Sequence, residues 1–241
     1  MFKTKIENPY GPTQGRYMCG RAPTVPLPGS VGDKLATATK IKRGEVSLKI
    51  GSANVGTMSN KSGEVVEMAR RRELDFCCLQ ETRWRRGGSR IMGGYKFIWA
   101  GGDKAESGVG ILVAVRWVKD IIEVKRISDR IIIVRVVVVK AILNLVSVYA
   151  PQVGRSMLEK ESFLDALRES LFTIAGGESI VLCGDFNGHV GSNVEGFEGV
   201  HGGHGFGSRN VEGEMLLESA DSMDLAVINT WFKKKECHKV T

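Results

Sequence analysis

The chain is predicted to fold as an α/β protein in which two mostly antiparallel sheets pack face to face with helices on the outside. Three observations lead there. Val-, Ile- and Leu-rich runs arrive in adjacent groups, helical-period segments separate those groups, and the alternation is too irregular for a doubly wound parallel sheet. No internal repeat is present.

Taken in order, Leu48 to Ala53 reads as a strand ending at Asn54. A helix follows from about Gly63 to Glu73, with Val65, Val66, Met68 and Ala69 on its apolar face, and then a buried strand from Leu74 to Gln80. Tyr95–Trp99, Gly110–Val115, Ile121–Arg126, Ile131–Val139 and Ile142–Tyr149 are further strands. The last two are joined so closely through Lys140-Ala141 that they should pair antiparallel. Ser156 with Glu159 is a capping-box signature, opening a helix that carries Leu164, Leu167, Leu171 and Ile174 at helical spacing. Ile180–Cys183 is a strand, Glu212–Met223 a last helix and Leu225–Asn229 a last strand.

Residues 1–44 contain every proline except Pro151 and no sustained apolar period, so they read as a disordered basic leader before a domain at 45–241. That segment holds eight Lys or Arg against Glu7 and Asp33, which accounts for six of the seven net positive charges. Bulk charge is therefore no signature of the folded part. The arginines around Leu79-Gln80-Glu81-Thr82 say more. Arg70, Arg71 and Arg72 suit a solvated helix end as well as a binding surface, whereas Arg83, Arg85 and Arg86 are candidates for phosphate contact.

The longest apolar stretch, Ile131 to Tyr149, is interrupted by Arg135, Lys140 and Asn144, short of the ~18 uninterrupted apolar residues of a membrane helix. No membrane partner is expected. Five cysteines without C-x-x-C spacing, and no signal-peptide pattern, read as a reduced intracellular protein, nuclear or cytoplasmic, with no structural zinc.

Two phrases carry the chemistry. Leu79-Gln80-Glu81-Thr82 follows the apolar run Phe76-Cys77-Cys78, and Cys183-Gly184-Asp185-Phe186-Asn187 follows Ser179-Ile180-Val181-Leu182. A carboxylate released at the end of each of two buried strands suits a hard divalent cation acting on phosphate. Asn54, Glu81, Tyr149, Asp185 and Asn187 are the polar strand-end residues. Each has an ordinary alternative: a turn residue for Asn54, an arginine partner for Glu81, a core aromatic for Tyr149, a glycine-flanked turn for Asp185 and Asn187. Five such coincidences are less probable than one site. His189, His201 and His204 are read as solvent-facing loop residues.

In this order the residues resemble the endonuclease/exonuclease/phosphatase superfamily with its deoxyribonuclease-I-like fold. Within it they also resemble the endonuclease domain of RTE-type non-LTR retrotransposons and its craniofacial development protein 2-like relatives. The carrying phrases are Ile50–Val55, Leu79–Trp84, Ser107–Ile111, Val148–Pro151, Gly184–Asn187 and Asn210–Thr230. The resemblance implies a four-layered α/β sandwich and a monomeric, Mg²⁺- or Mn²⁺-dependent DNA endonuclease. Glu81, helped by Asn54, would hold the ion, Asp185 would orient and deprotonate the attacking water, Asn187 would hold the phosphate or that water, and Tyr149 would hydrogen-bond the scissile phosphate. The superfamily also has an Asp in an Ile-Asp-Tyr-like strand and a terminal His supported by an Asp. Neither motif is found before the sequence reaches Cys237-His238-Lys239-Val240-Thr241. The expectation is a C-terminally truncated domain with weak or no activity and an unpaired sheet edge. A remnant that binds nucleic acid or protein without cleaving it is the alternative.

Overall fold

Both faces of the strand Ile131–Val138 are apolar, so it must be covered on both sides. Ile131 and Ile133 point to one face, Ile132, Val134 and Val136 to the other, and all five are buried. Such strands dictate the layers seen in the computed structural model, which describes residues 16–20, 39–43 and 46–233, with side chains for 47–233.

The strands are β1 (Arg16–Gly20), β2 (Thr39–Arg43), β3 (Val46–Asn54), β4 (Phe76–Gln80), β5 (Gly87–Met92), β6 (Tyr95–Ala100), β7 (Val109–Ala114), β8 (Ile121–Ser128), β9 (Ile131–Val138), β10 (Ala141–Tyr149), β11 (Ser179–Asp185) and β12 (Ala226–Val227). The helices are α1 (Ser62–Arg71), α2 (Met157–Phe172) and α3 (Val211–Ser222). One sheet runs β12-β1-β11-β10-β9-β8 and the other β2-β3-β4-β7-β6-β5. The second is antiparallel except where β3 pairs parallel with β4 through the α1 crossover. The first is mixed, because β10 reaches β11 through the α2 crossover and β1 lies parallel to both of its neighbours.

Between the sheets, Leu48, Ile50, Phe76, Cys78 and Ile111 meet Ile132, Val134, Leu145 and Val181. Outside one sheet, α1 packs Val65, Val66, Met68 and Ala69 onto Cys77, Leu79, Phe97 and Leu112. Outside the other, α2 and α3 bring Phe163, Leu167, Leu171, Leu216, Leu217 and Ala220 onto Ile133, Val146, Val148 and Leu182. This is a four-layered α/β sandwich. Each fully buried Leu, Ile, Val or Phe contributes about 1.5–3 kcal/mol. The predicted capping box closes on both sides: Ser156 Oγ accepts from Glu159 N, and Glu159 accepts from Ser156 N.

Three differences from the sequence reading have local causes. β5 falls in what reads as an arginine- and glycine-rich loop, and it is a mostly exposed edge strand with no apolar alternation to reveal it. The expected strand over 225–229 stops at Val227 and turns into a short 3-10 helix at Ile228–Thr230. There Thr230 Oγ1 donates to Val227 O at 2.7 Å and accepts from Gly202 N at 2.9 Å, bending the chain back. His201, expected in solvent, is 1 % exposed. Its Nδ1 accepts from Gly203 N at 3.0 Å and its Nε2 lies 3.0 Å from Gly191 O. The first bond requires a bare Nδ1, so the ring is neutral with its proton on Nε2, donated to Gly191. Burial holds its pKa below the ordinary histidine value.

The stretch expected as a disordered leader, residues 1–44, lies largely outside the described residues, as do Cys237 and His238. Within it, β1 and β2 are described as strands. Among the described residues β11 has β1 as its second neighbour and β3 has β2, while β12 and β8 are the edges of the first sheet. Buried strands need partners for their backbone N–H and C=O groups, and this N-terminal stretch supplies them.

Two outcomes follow. Met18→Pro removes an N–H from the middle of an interior strand and should lower the unfolding free energy by more than about 1 kcal/mol in urea titration. An unchanged midpoint would mean that β1 does not pair. Because the folded pKa of His201 is depressed, its contribution to stability is present above the unfolded value and is lost as pH falls through it. The urea midpoint should therefore drop between about pH 7 and about pH 5, and drop less in His201→Gln, which does not titrate.

Candidate active site

Strands that pair in parallel end on the same rim. Tyr149 and Asp185 are opposite each other at the ends of β10 and β11, and Asn54 is opposite Gln80 at the ends of β3 and β4, with Glu81 next in the chain. Packing the two sheets brings these rims together.

Asn54 joins them. Its Nδ2 donates to Glu81 Oε1 at 2.7 Å and to Asp185 Oδ2 at 2.9 Å, while its Oδ1 accepts from Gly56 N at 3.0 Å. Two carboxylates on one side and an N–H on the other fix the orientation of the amide. Asn54 and Asp185 are buried, and the Glu81 side chain is 16 % exposed. Asp185 Oδ1 accepts from Asn187 N at 3.2 Å, and Asn187 Nδ2 donates to Ala150 O at 2.8 Å. Asp185 O accepts from Ala150 N at 2.9 Å, tying the ends of β10 and β11 together.

Tyr149 is buried beside them. Burial first, and then the negative charge of Glu81, push its phenol up to about 12, so it keeps its proton at neutral pH. Gln152 Nε2 donates to the Tyr149 oxygen at 3.1 Å. Arg130, which the sequence reading does not single out, covers the ring with its guanidinium 5.2 Å from the centroid and donates to Tyr149 O at 3.2 Å. Nothing in the local pattern before Ile131 marks it, because its role depends on the β9–β10 pairing.

Of the arginines, Arg83 pairs with Glu81 at 3.2 Å and is about half exposed, so the pair itself adds little stability. Arg85 and Arg86 are exposed on the same loop, and among the described residues no ion pair joins them to the site. Arg70 and Arg71 face Glu67 on α1, the solvated helix end that was one of two readings for this run. Arg90 stacks on Trp84, 4.4 Å from the ring centroid.

The loops are held in sparsely populated conformations. Glu81, Arg83, Arg86 and Asn187 have φ between 49° and 56°, a left-handed region that costs non-glycine residues energy and persists only where the surroundings enforce it. Thr82 N and Arg83 N donate to Gly108 O and Ser107 O at 3.0 and 2.8 Å. A Cβ on Gly108 would lie 2.4 Å from Thr82 Oγ1, so this approach needs glycine. Beneath the rim a polar relay crosses between the sheets: Ser52 Oγ donates to Gln80 Oε1, Gln80 Nε2 to Ser147 Oγ, and Ser147 Oγ to Leu79 O, at 3.2 to 3.4 Å.

Glu81 presents a carboxylate at the rim, while Asn54 turns its N–H to Glu81 and its oxygen to Gly56 N, so a cation here would take its oxygen from Glu81. This fits a small hard cation such as Mg²⁺, which takes one or two carboxylates and draws its remaining ligands from water and substrate phosphate. Among the described residues no three His, Cys, Asp or Glu gather as a metal cluster. Nor is any helix among them long and apolar enough to cross a membrane.

This architecture has known counterparts. Among solved structures the chain is similar to an AP endonuclease from Archaeoglobus fulgidus, with TM-score 0.53 and 18 % identity over 73 % of this chain and 70 % of that one. It is likewise similar to the AP endonuclease LMAP from Leishmania major, with TM-score 0.52 and 13 % identity over 84 % of this chain and 72 % of that one. Both likenesses concern the fold. In sequence it is 28 % identical over 188 residues to craniofacial development protein 2 of Bos taurus, covering 77 % of this chain but only 31 % of that protein. Residues 51–209, from within β3 to the loop before α3, match the model of one family, and with two packed sheets meeting at Asn54, Glu81 and Asp185, the chain belongs to the Endonuclease/Exonuclease/phosphatase family.

Proposed function

We propose that this domain is a divalent-metal-dependent phosphodiesterase that nicks DNA, of the retrotransposon-derived endonuclease type. The observation that carries the reading is the Asn54 bridge, which holds the Glu81 and Asp185 carboxylates within one hydrogen-bonded unit. The two solved AP endonucleases of like fold make DNA the first substrate to test. The retroelement assignment rests on the Asn210–Thr230 phrase.

A phosphodiester is an anion that repels an anionic nucleophile, so its hydrolysis needs charge neutralisation and an aimed water. Glu81, its carboxylate oriented by the Asn54 N–H, would hold Mg²⁺ or Mn²⁺, which when bound supplies positive charge against the phosphate oxygens. Asp185 takes a proton from the attacking water, and its aim is set by Asn54 Nδ2 on one oxygen and Asn187 N on the other. Such base help is worth about two to four powers of ten. Tyr149, protonated well beyond neutral pH, donates its O–H to a phosphate oxygen. Asn187 lends its side-chain amide to the phosphate or the water. As the water oxygen bonds to phosphorus, the bond to the leaving sugar oxygen breaks. Arg83, Arg85 and Arg86 grip neighbouring phosphates of the duplex.

Conversion of supercoiled plasmid to nicked circles in Mg²⁺ tests this directly. Activity should vanish with a chelator and fall at least about a hundredfold in Glu81→Gln, which keeps a hydrogen-bond acceptor for Asn54. Asp185→Asn should lose about 10²- to 10⁴-fold. Undiminished nicking in Glu81→Gln would sink the ligand assignment, and DNA binding without nicking by the parent domain would favour the non-catalytic alternative. In a separate binding measurement, replacing Arg83, Arg85 and Arg86 with serine should make the salt dependence shallower, by about 0.9 in the log–log slope for each phosphate no longer neutralised.

A further inference from the structure

The turn carrying Asn187 is not held by its own strand alone. Asn210, the N-cap of α3, accepts from Gly213 N at 2.9 Å and, with the same Oδ1, from His189 N at 2.9 Å. Its backbone N donates to His189 O at 3.0 Å. One side-chain oxygen thus fastens both the helix start and the chain two residues beyond Asn187. The fit is close on both sides: a Cβ on Gly213 would lie 1.9 Å from His189 O, and one on Gly188 would lie 2.9 Å from the Glu212 carbonyl carbon. The helix end is itself anchored. Lys160 Nζ on α2 donates at 2.7 Å to both Glu212 Oε1 and Val153 O, the latter in the loop that follows Tyr149. That pairing holds the Glu212 carboxyl below its ordinary pKa.

We infer that Asn210 is a positioning residue, which through His189 holds the 187–189 turn so that Asn187 N stays on Asp185 Oδ1. It touches neither substrate nor metal. The inference rests on the proposed role of Asp185 and Asn187, and it concerns acceptor chemistry alone, since both side-chain bonds use the Asn210 oxygen. Aspartate retains that oxygen and alanine removes it.

The test compares Asn210→Ala and Asn210→Asp with the parent domain by plasmid nicking and by amide NMR with hydrogen exchange. In Asn210→Ala the His189 amide should lose protection, the Asn187 amide signal should move, and kcat should fall about tenfold to a hundredfold with KM changed less than about threefold. Asn210→Asp should restore all of these. Because loss of folded protein would itself lower apparent kcat at constant KM, kcat is referred to the folded fraction read from the same NMR spectra. The inference is overturned if Asn210→Ala leaves the Asn187 signal and kcat as they were, or if Asn210→Asp fails as badly as alanine. If the parent domain does not nick, the proposed activity has failed. The Asn187 and His189 amides then decide the positioning claim by themselves.

Discussion

Burial of the central strands on both faces is the constraint from which the rest of this architecture follows. β4, β9, β10 and β11 carry apolar side chains on both sides, so each sheet must be covered by the other sheet within and by helices without. Polar residues then gather at strand ends and the loops beyond them, and the few within strands, such as Ser52, Asn144 and Ser147, need partners of their own. The α1 and α2 crossovers make β3–β4 and β10–β11 parallel, and parallel strands deliver their C-terminal residues to one rim. The meeting of Asn54, Glu81, Tyr149 and Asp185 is thus a result of packing and connectivity before it is a result of any direct attraction among them.

That meeting would be unfavourable without compensation, since it crowds two carboxylates beside a buried phenol. The Asn54 amide offsets part of the cost by donating to both carboxylates. Tyr149 answers the same field by holding its proton more tightly. A cation beside the Glu81 carboxylate would relieve the remaining repulsion. The left-handed backbone at Glu81, Arg83 and Asn187 adds local strain, which the surrounding hydrogen bonds to Ser107, Gly108 and Ala150 sustain.

Behind the rim the supports form successive rings. Ser52, Gln80 and Ser147 satisfy one another between the sheets, where an unpaired polar group would be costly. On the helical side, Lys160, Glu212 and Asn210 gather the loops after β10 and β11 onto the start of α3. His201 does similar work further along the same glycine-rich connection, joining Gly191 to Gly203. Each of the first two supports joins segments far apart in the chain.

Apolar periodicity determined most of the sheet strands and the three helices, and the Ser156–Glu159 spacing the capping box, because burial and local capping leave their mark within a few residues. It also marked the strand-end polar residues, since a carboxylate that closes a buried run stands out from its neighbours. β5 left no such mark, being an exposed edge strand, and neither did β1 and β2, whose short runs gain their pairing from β11, β12 and β3. Arg130, Asn210 and the burial of His201 were equally illegible. Their hydrogen bonds run to backbone atoms, and backbone atoms are the same whatever the sequence. Only tertiary structure, by bringing particular carbonyls and amides within 3.2 Å of those side chains, decided what they do.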